Sequence, residues 1–153
     1  MTPIASCFTR LLHWFGQAGQ WVGMLGIRLL LAYEFGTAGL EKWRGENWFA
    51  EIQAAFPFPF SVVPVDVSWL LATWTELIGA VALVIGLGTR FWAVALAILD
   101  IVAWSSVHGG NGYNVCDNGF KLPLMYLMML IPLVLAGPGR LSIDHAIRSR
   151  TMG

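Results

Sequence analysis

The chain has 153 residues, 57% of them hydrophobic and 12% charged, where an ordinary soluble domain carries about 25% charged residues; its mean hydropathy is +0.66. This is the composition of a membrane protein. Nine Lys and Arg balance nine Asp and Glu, so there is neither a basic excess nor an acidic tail, and nucleic-acid binding is set aside.

The first local feature is the tetrapeptide "IASC" ending at Cys7, which has the outline of a lipoprotein cleavage box. The residues before it supply neither a positive start nor an apolar run to present it, so Cys7 reads as an ordinary thiol and the N-terminus as uncleaved. The second cysteine, Cys116, is far away and no C-x-x-C exists, which argues against a zinc site or a dithiol redox pair.

Four stretches, 21–40, 67–87, 91–107 and 120–137, are apolar and long enough to cross a hydrocarbon layer of about 30 Å, which takes roughly 17 to 25 helical residues. They lack the alternation of barrel strands, and backbone in lipid must satisfy its own hydrogen bonds, so helices are expected. The expected fold is all-α, an integral membrane four-helix bundle in a single domain, 1–153. Arg10, Arg90, Arg140, Arg148 and Arg150 fall on one side, Lys42, Arg44 and Lys121 on the other. The positive-inside rule then makes both termini cytoplasmic, with the 42–66 and 108–119 loops facing outward.

In the first outer loop, "NWFAEIQAAF" sets Trp48, Phe49, Ile52 and Phe56 on one helical side, which suits a short amphipathic helix lying on the headgroups or acting as a lid. "PFPFSVVP" stops it, since proline removes donors and pushes the preceding residue out of helix. On the fourth span Met125, Met128 and Met129 share a face; thioethers suit copper(I), but no His or Cys on that helix completes a metal site. Pro132 is expected to kink that helix. Gly36, Gly39 and "IGLG" ending at Gly88 read as small residues that let helices approach. In "LSIDHAI" Ser142 is the expected N-cap of a last helix.

The runs "LLLAYEFGTAGLEKWRGENWFAEIQAAFPFPF", "LATWTELIGAVALVIGLGTRFWA" and "LAGPGRLSIDH" resemble the DoxX family of small four-helix membrane proteins, over 25–145 and closest to its HvfX-like branch. The resemblance implies an inner-membrane protein; some DoxX-like proteins are membrane subunits of quinone-linked oxidoreductases, and HvfX-like proteins are encoded beside small metal-sequestering peptides, the bufferins. The family offers no single catalytic residue set to carry over.

Ionisable residues inside the spans are the candidate site. Arg28, Glu34, Glu76 and Asp100 fall within them, where a charge costs about 2.5 to 3.5 kcal/mol on insertion scales, so they are expected to face the interior as a buried polar centre. At 1.5 Å per residue, taking Glu41, Val67 and Val107 as level outer ends, Glu34 and Asp100 lie about 10 Å down, Glu76 about 14 Å and Arg28 about 20 Å. Arg28 and Glu34 sit about 120° apart on their helix, so Arg28 is expected to meet Glu76 or Asp100. Three acids and one arginine make a proton-handling layer, or a structural knot that locks helix register. Glu41, Lys42, Trp104 and His108 form its expected outer mouth, and the stripe Trp92, Leu96, Asp100, Trp104, His108 sets aromatic rings beside an acid, a wall for a quinone or plain packing. No hydrolase, P-loop, dinucleotide or zinc-protease motif occurs. Three roles follow: an accessory component of a redox or metal-stress system, with quinone as its cofactor and a membrane or periplasmic protein as its partner; a small proton-coupled transporter or export component; or a structural anchor.

Overall fold

A computed structural model describes residues 3–151, and the side chains of all of these except 3–7 and 20; the thiol of Cys7 lies outside the described side chains. The described residues are helical with no strand. Helix α1 (Pro3–Ala18) runs through a π turn at Gly19–Gly23 into α2 (Met24–Arg44). A single turn, α3 (Phe49–Ile52), precedes α4 (Val65–Ile85) and α5 (Thr89–Ala103), which continues as a π turn through Trp104–His108. Helices α6 (Lys121–Leu135) and α7 (Ile143–Thr151) complete the described residues. The expected spans correspond to α2, α4, α5 with its π turn, and α6.

Two of these helices, Val65–Ile85 and Thr89–His108, are long and apolar enough to cross a membrane. Helix α2 carries Arg28, Glu34, Glu41, Lys42 and Arg44 among its apolar residues, and α6 is shorter, with 15 residues. The outer surface is apolar: Tyr33 is 67% exposed, Val81 62% and Phe91 68%. Apolar surface on that scale needs a non-aqueous surrounding or a partner.

Helix α2 packs chiefly on α4, and α5 on α6, while α4 meets α5 and α2 meets α6. Leu31, Phe35, Leu83, Ala93, Leu96, Leu130 and Leu133 make the core. Glycine sets the register of α2 on α4. A Cβ on Gly39 would lie 3.0 Å from that of Glu76, and one on Gly36 3.4 Å from that of Ala80. The helices are antiparallel and not level at their ends. With Gly39 opposite Glu76, α4 reaches about two turns further outward than Glu41, which overturns the level ends assumed for the depth estimates.

In the first outer loop the expected amphipathic helix is a single turn whose apolar side lies against α4. Phe49 and Phe56 are buried, and Phe49 stacks edge-on against Trp69 of α4 at 5.0 Å and against Phe56 at 5.2 Å. One turn is too short to keep an amphipathic face on a surface, so its rings turn in toward α4.

Candidate functional site

Arg28 is 1% exposed, and its partners are backbone carbonyls. Nε donates to Leu83 O at 2.7 Å and Nη2 to Val84 O at 2.7 Å, while Nη1 donates to Leu141 O at 2.7 Å and Pro138 O at 3.1 Å. The expected pairing of Arg28 with Glu76 or Asp100 is therefore corrected. The glycine register carries Arg28 past Glu76 to the far end of α4, where the last carbonyls of a helix lack intrahelical donors. A fork of N–H groups fits them, and the negative end of the helix dipole favours a cation there.

The same corner holds Asp144. Its Oδ1 accepts from Gly88 N at 2.8 Å and its Oδ2 from Thr89 N at 2.9 Å, so it caps the start of α5. Asp144 N donates to Gly86 O at 3.0 Å. Ser142 Oγ accepts from His145 N at 3.1 Å, the cap expected from the sequence. Gly86, at φ 71°, admits no side chain: a Cβ would stand 2.5 Å from Ser142 Cβ and 2.7 Å from Arg28 Nη2. The "GLGTR" and "GPGRLSIDH" segments thus form a clasp that joins α2, α4, α5 and α7.

The acids form two clusters further along the helices rather than one layer. Lys42 Nζ donates to both carboxylate oxygens of Glu76, each at 2.9 Å, with Glu76 2% exposed. Lys42, expected at the outer mouth, lies one turn beyond Gly39 on the same face of α2, and its long stem carries the ammonium inward. Glu34 instead accepts from the hydroxyl of Tyr126 on α6, at 2.7 Å. Asp100 acts electrostatically on the same Tyr126, is 4% exposed, and its Oδ2 has no hydrogen-bond partner among the described residues. Glu34 sits five residues from the level of Glu76, about 8 Å along the axis, which separates the two clusters.

The other expected mouth residues are placed individually. Glu41 is exposed; Trp104 stacks on Phe120 at 5.0 Å with rings 9° from parallel; His108 Nδ1 is 2.8 Å from Asn118 O. Of the methionines, Met125 and Met128 point outward, 46% and 54% exposed, while Met129 packs on the core. No group of three or more His, Cys, Asp or Glu among the described residues could hold a metal ion.

Sequence reasoning missed Tyr126. It also missed Ser68, 8% exposed, whose hydroxyl is buried with no hydrogen-bond partner among the described residues. Ser68 lines a cavity of about 110 Å³ with Phe49, Phe56, Phe60 and Leu71. Ile98, Leu99 and Val102 of α5 form another part of its wall, and Asp100 on the same helix is not among the lining residues.

The DoxX family model matches residues 23–109, more than half of the chain. The chain belongs to the DoxX family. A protein of Haemophilus influenzae Rd named only as uncharacterized is 52% identical over 130 residues, covering 85% of this chain and 86% of the relative. A second uncharacterized protein of the same organism is 28% identical over 122 residues, 78% of this chain and 86% of that protein. No solved structure matches. The matched DoxX segment contains Arg28, Gly39, Glu76, Gly86 and Asp100, that is, one half of the clasp and three of the buried charges. DoxX being a membrane family, the apolar helices of this chain are those of a membrane protein of the same kind.

Proposed function

We propose that this DoxX protein is a multi-pass, four-helix component of the bacterial inner membrane, with cytoplasmic termini and of the HvfX-like kind. In this reading it is accessory to a redox or metal-stress system and engages a quinone headgroup at its outer side. The observation that carries the reading is the phenylalanine-lined cavity with the unpartnered Ser68 hydroxyl at its wall, against the stretch of α5 that bears Asp100. Its volume, about 110 Å³, is below the roughly 300 Å³ at which drug-sized sites begin, which favours a single ring over a whole lipid carrier. A quinone supplies a carbonyl acceptor and exchangeable electrons, which a redox partner protein would deliver or remove. With a quinone bound, Ser68 would donate to a ring carbonyl and the phenylalanines would pack on the ring and exclude water, while Asp100, which does not line the cavity, would hold or give up a proton beside Tyr126 and Glu34. Buried carboxyls inside a membrane segment are otherwise costly to retain, which supports a role for them in proton handling.

The test is quenching of tryptophan fluorescence in purified protein by a short-chain quinone. Saturable quenching is expected, weakened about fivefold in Ser68→Ala, the worth of one hydrogen bond. Absence of saturable quenching, together with absence of co-purified quinone, overturns the quinone reading. Proton-coupled solute flux in vesicles, lost in Asp100→Asn, would then assign the polar clusters to transport, and absence of both would leave a structural anchor.

A further inference from the structure

We infer that the end of the helical body carrying α7 holds a binding site for a phosphate-bearing anion, separate from the quinone reading and independent of it. A cavity of about 610 Å³ opens there, inside the range of roughly 300 to 1,000 Å³ found for small-molecule sites. Arg90, Arg140, Arg148 and His145 line it. These come from the start of α5, the turn after α6, and α7, so three separate stretches of chain bring their charges to one place.

The excess of positive charge is not neutralised within the fold. Asp144 is the acid at the wall, and both of its oxygens already accept backbone amides of the clasp. Arg90 spends one N–H on Leu135 O at 3.1 Å, and Arg140 lies over the Trp21 ring at 5.8 Å. The Arg148 side chain has no hydrogen bond or ion pair among the described residues. Several guanidinium forks facing one space match the geometry of a phosphate, which takes paired N–H donors. The remaining wall includes Met24 and Phe91, with Phe91 68% exposed on the apolar surface of α5. Polar and apolar walls together suit the phosphate and glycerol of an anionic phospholipid whose chains lie along α5; a soluble phosphate compound would use the arginines alone.

The experiment uses the full chain, purified and stripped of lipid, with cardiolipin, phosphatidylcholine and inorganic phosphate as probes. Native mass spectrometry reads lipid retention and a thermal scan reads stabilisation. Selective retention of cardiolipin over phosphatidylcholine, falling about tenfold in Arg140→Gln/Arg148→Gln, assigns a lipid source. Stabilisation by inorganic phosphate without lipid selectivity, lost in the same variant, assigns a soluble source. The matched control Arg10→Gln/Arg150→Gln removes the same charge outside the cavity and leaves either signal unchanged. The inference is overturned if neither probe prefers the wild type over Arg140→Gln/Arg148→Gln, or if the control loses the signal equally.

Discussion

Arg28 and Asp144 hold the two sides of one turn: the guanidinium donates to Leu83 O and Val84 O, which end α4, and the carboxylate accepts from the amides of Gly88 and Thr89, which begin α5. Each charge opposes a helix dipole at the end where that dipole is exposed. The two also feel each other's charge directly. Because α4, and α5 together with its π turn, are long and apolar enough to span, this clasp fixes the hairpin between them.

Arg28→Gln should destabilise the protein by about 3 kcal/mol or more, since it strands carbonyls that a fork of charged donors now satisfies. Arg28→Lys should recover only part of the loss, because an ammonium cannot reach four carbonyls in two directions. Denaturant unfolding in detergent, read by loss of helical circular dichroism, measures both. Equal stability of Arg28→Gln and wild type would show that the clasp carries no energy.

Asp144→Ala should cost about 1 kcal/mol, the usual worth of an N-cap. Its effect should be smaller in the Arg28→Gln background, because both residues restrain the same turn, and a double-mutant cycle should return a coupling of about 0.5 kcal/mol or more. Strict additivity would mean that the two caps act independently.

The glycines give a graded series. Gly86→Ala meets both a left-handed backbone and Cβ contacts of 2.5 and 2.7 Å with Ser142 and Arg28, while Gly39→Ala meets Glu76 and Leu77 at 3.0 Å and Gly26→Ala meets nothing within 4 Å. Gly86→Ala should cost the most; Gly39→Ala should fall in the range of about 1 to 3 kcal/mol typical of overpacking. Gly26→Ala should be neutral or stabilising, since alanine favours helix. Thermal midpoints in one detergent rank the three, and any other order would contradict the register they define.

These positions also show how much was legible in the sequence. The apolar stretches located α2, α4, α5 and α6 because hydropathy is a property of each segment alone, and Ser142 was legible because a cap is local. The partner of Arg28 was not, since it depends on how far α4 projects beyond α2 and on a loop 113 residues away at Leu141. The Lys42–Glu76 pair left a signal that went unused. Arg28, Phe35, Gly39 and Lys42 repeat at helical spacing, so Lys42 shares the buried stripe, whereas the line from Glu34 to Glu41 leads outward. Tyr126 sits alone among methionines and leucines, and nothing local marks it as the donor to Glu34.

Removing one member of the Lys42–Glu76 pair leaves the other charge largely out of water. Lys42→Met should therefore cost about 2 to 4 kcal/mol, less than for a fully enclosed pair because the Lys42 side chain is 16% exposed. Lys42→Met combined with Glu76→Leu should restore most of the loss, since an apolar pair of similar size needs no desolvation. Unfolding free energies of the two single variants and the double variant decide this. If the double variant is as unstable as the sum of the singles, the pair is not the reason either residue matters.

Asp100 calls for the opposite outcome. Glu76 is held by two hydrogen bonds and Glu34 by one, but Asp100 Oδ2 is buried with no partner among the described residues. A buried acceptor left unmade costs about 1 to 3 kcal/mol, so Asp100→Leu should leave stability unchanged or raise it, unlike a single substitution at Glu76. Local features that oppose folding are retained where function needs them. The same Asp100→Leu protein should then lose quinone-linked or proton-linked activity while its unfolding midpoint stays level or rises. A fall in stability like that of Lys42→Met would instead make Asp100 a structural residue, and would remove its carboxyl from the proposed mechanism.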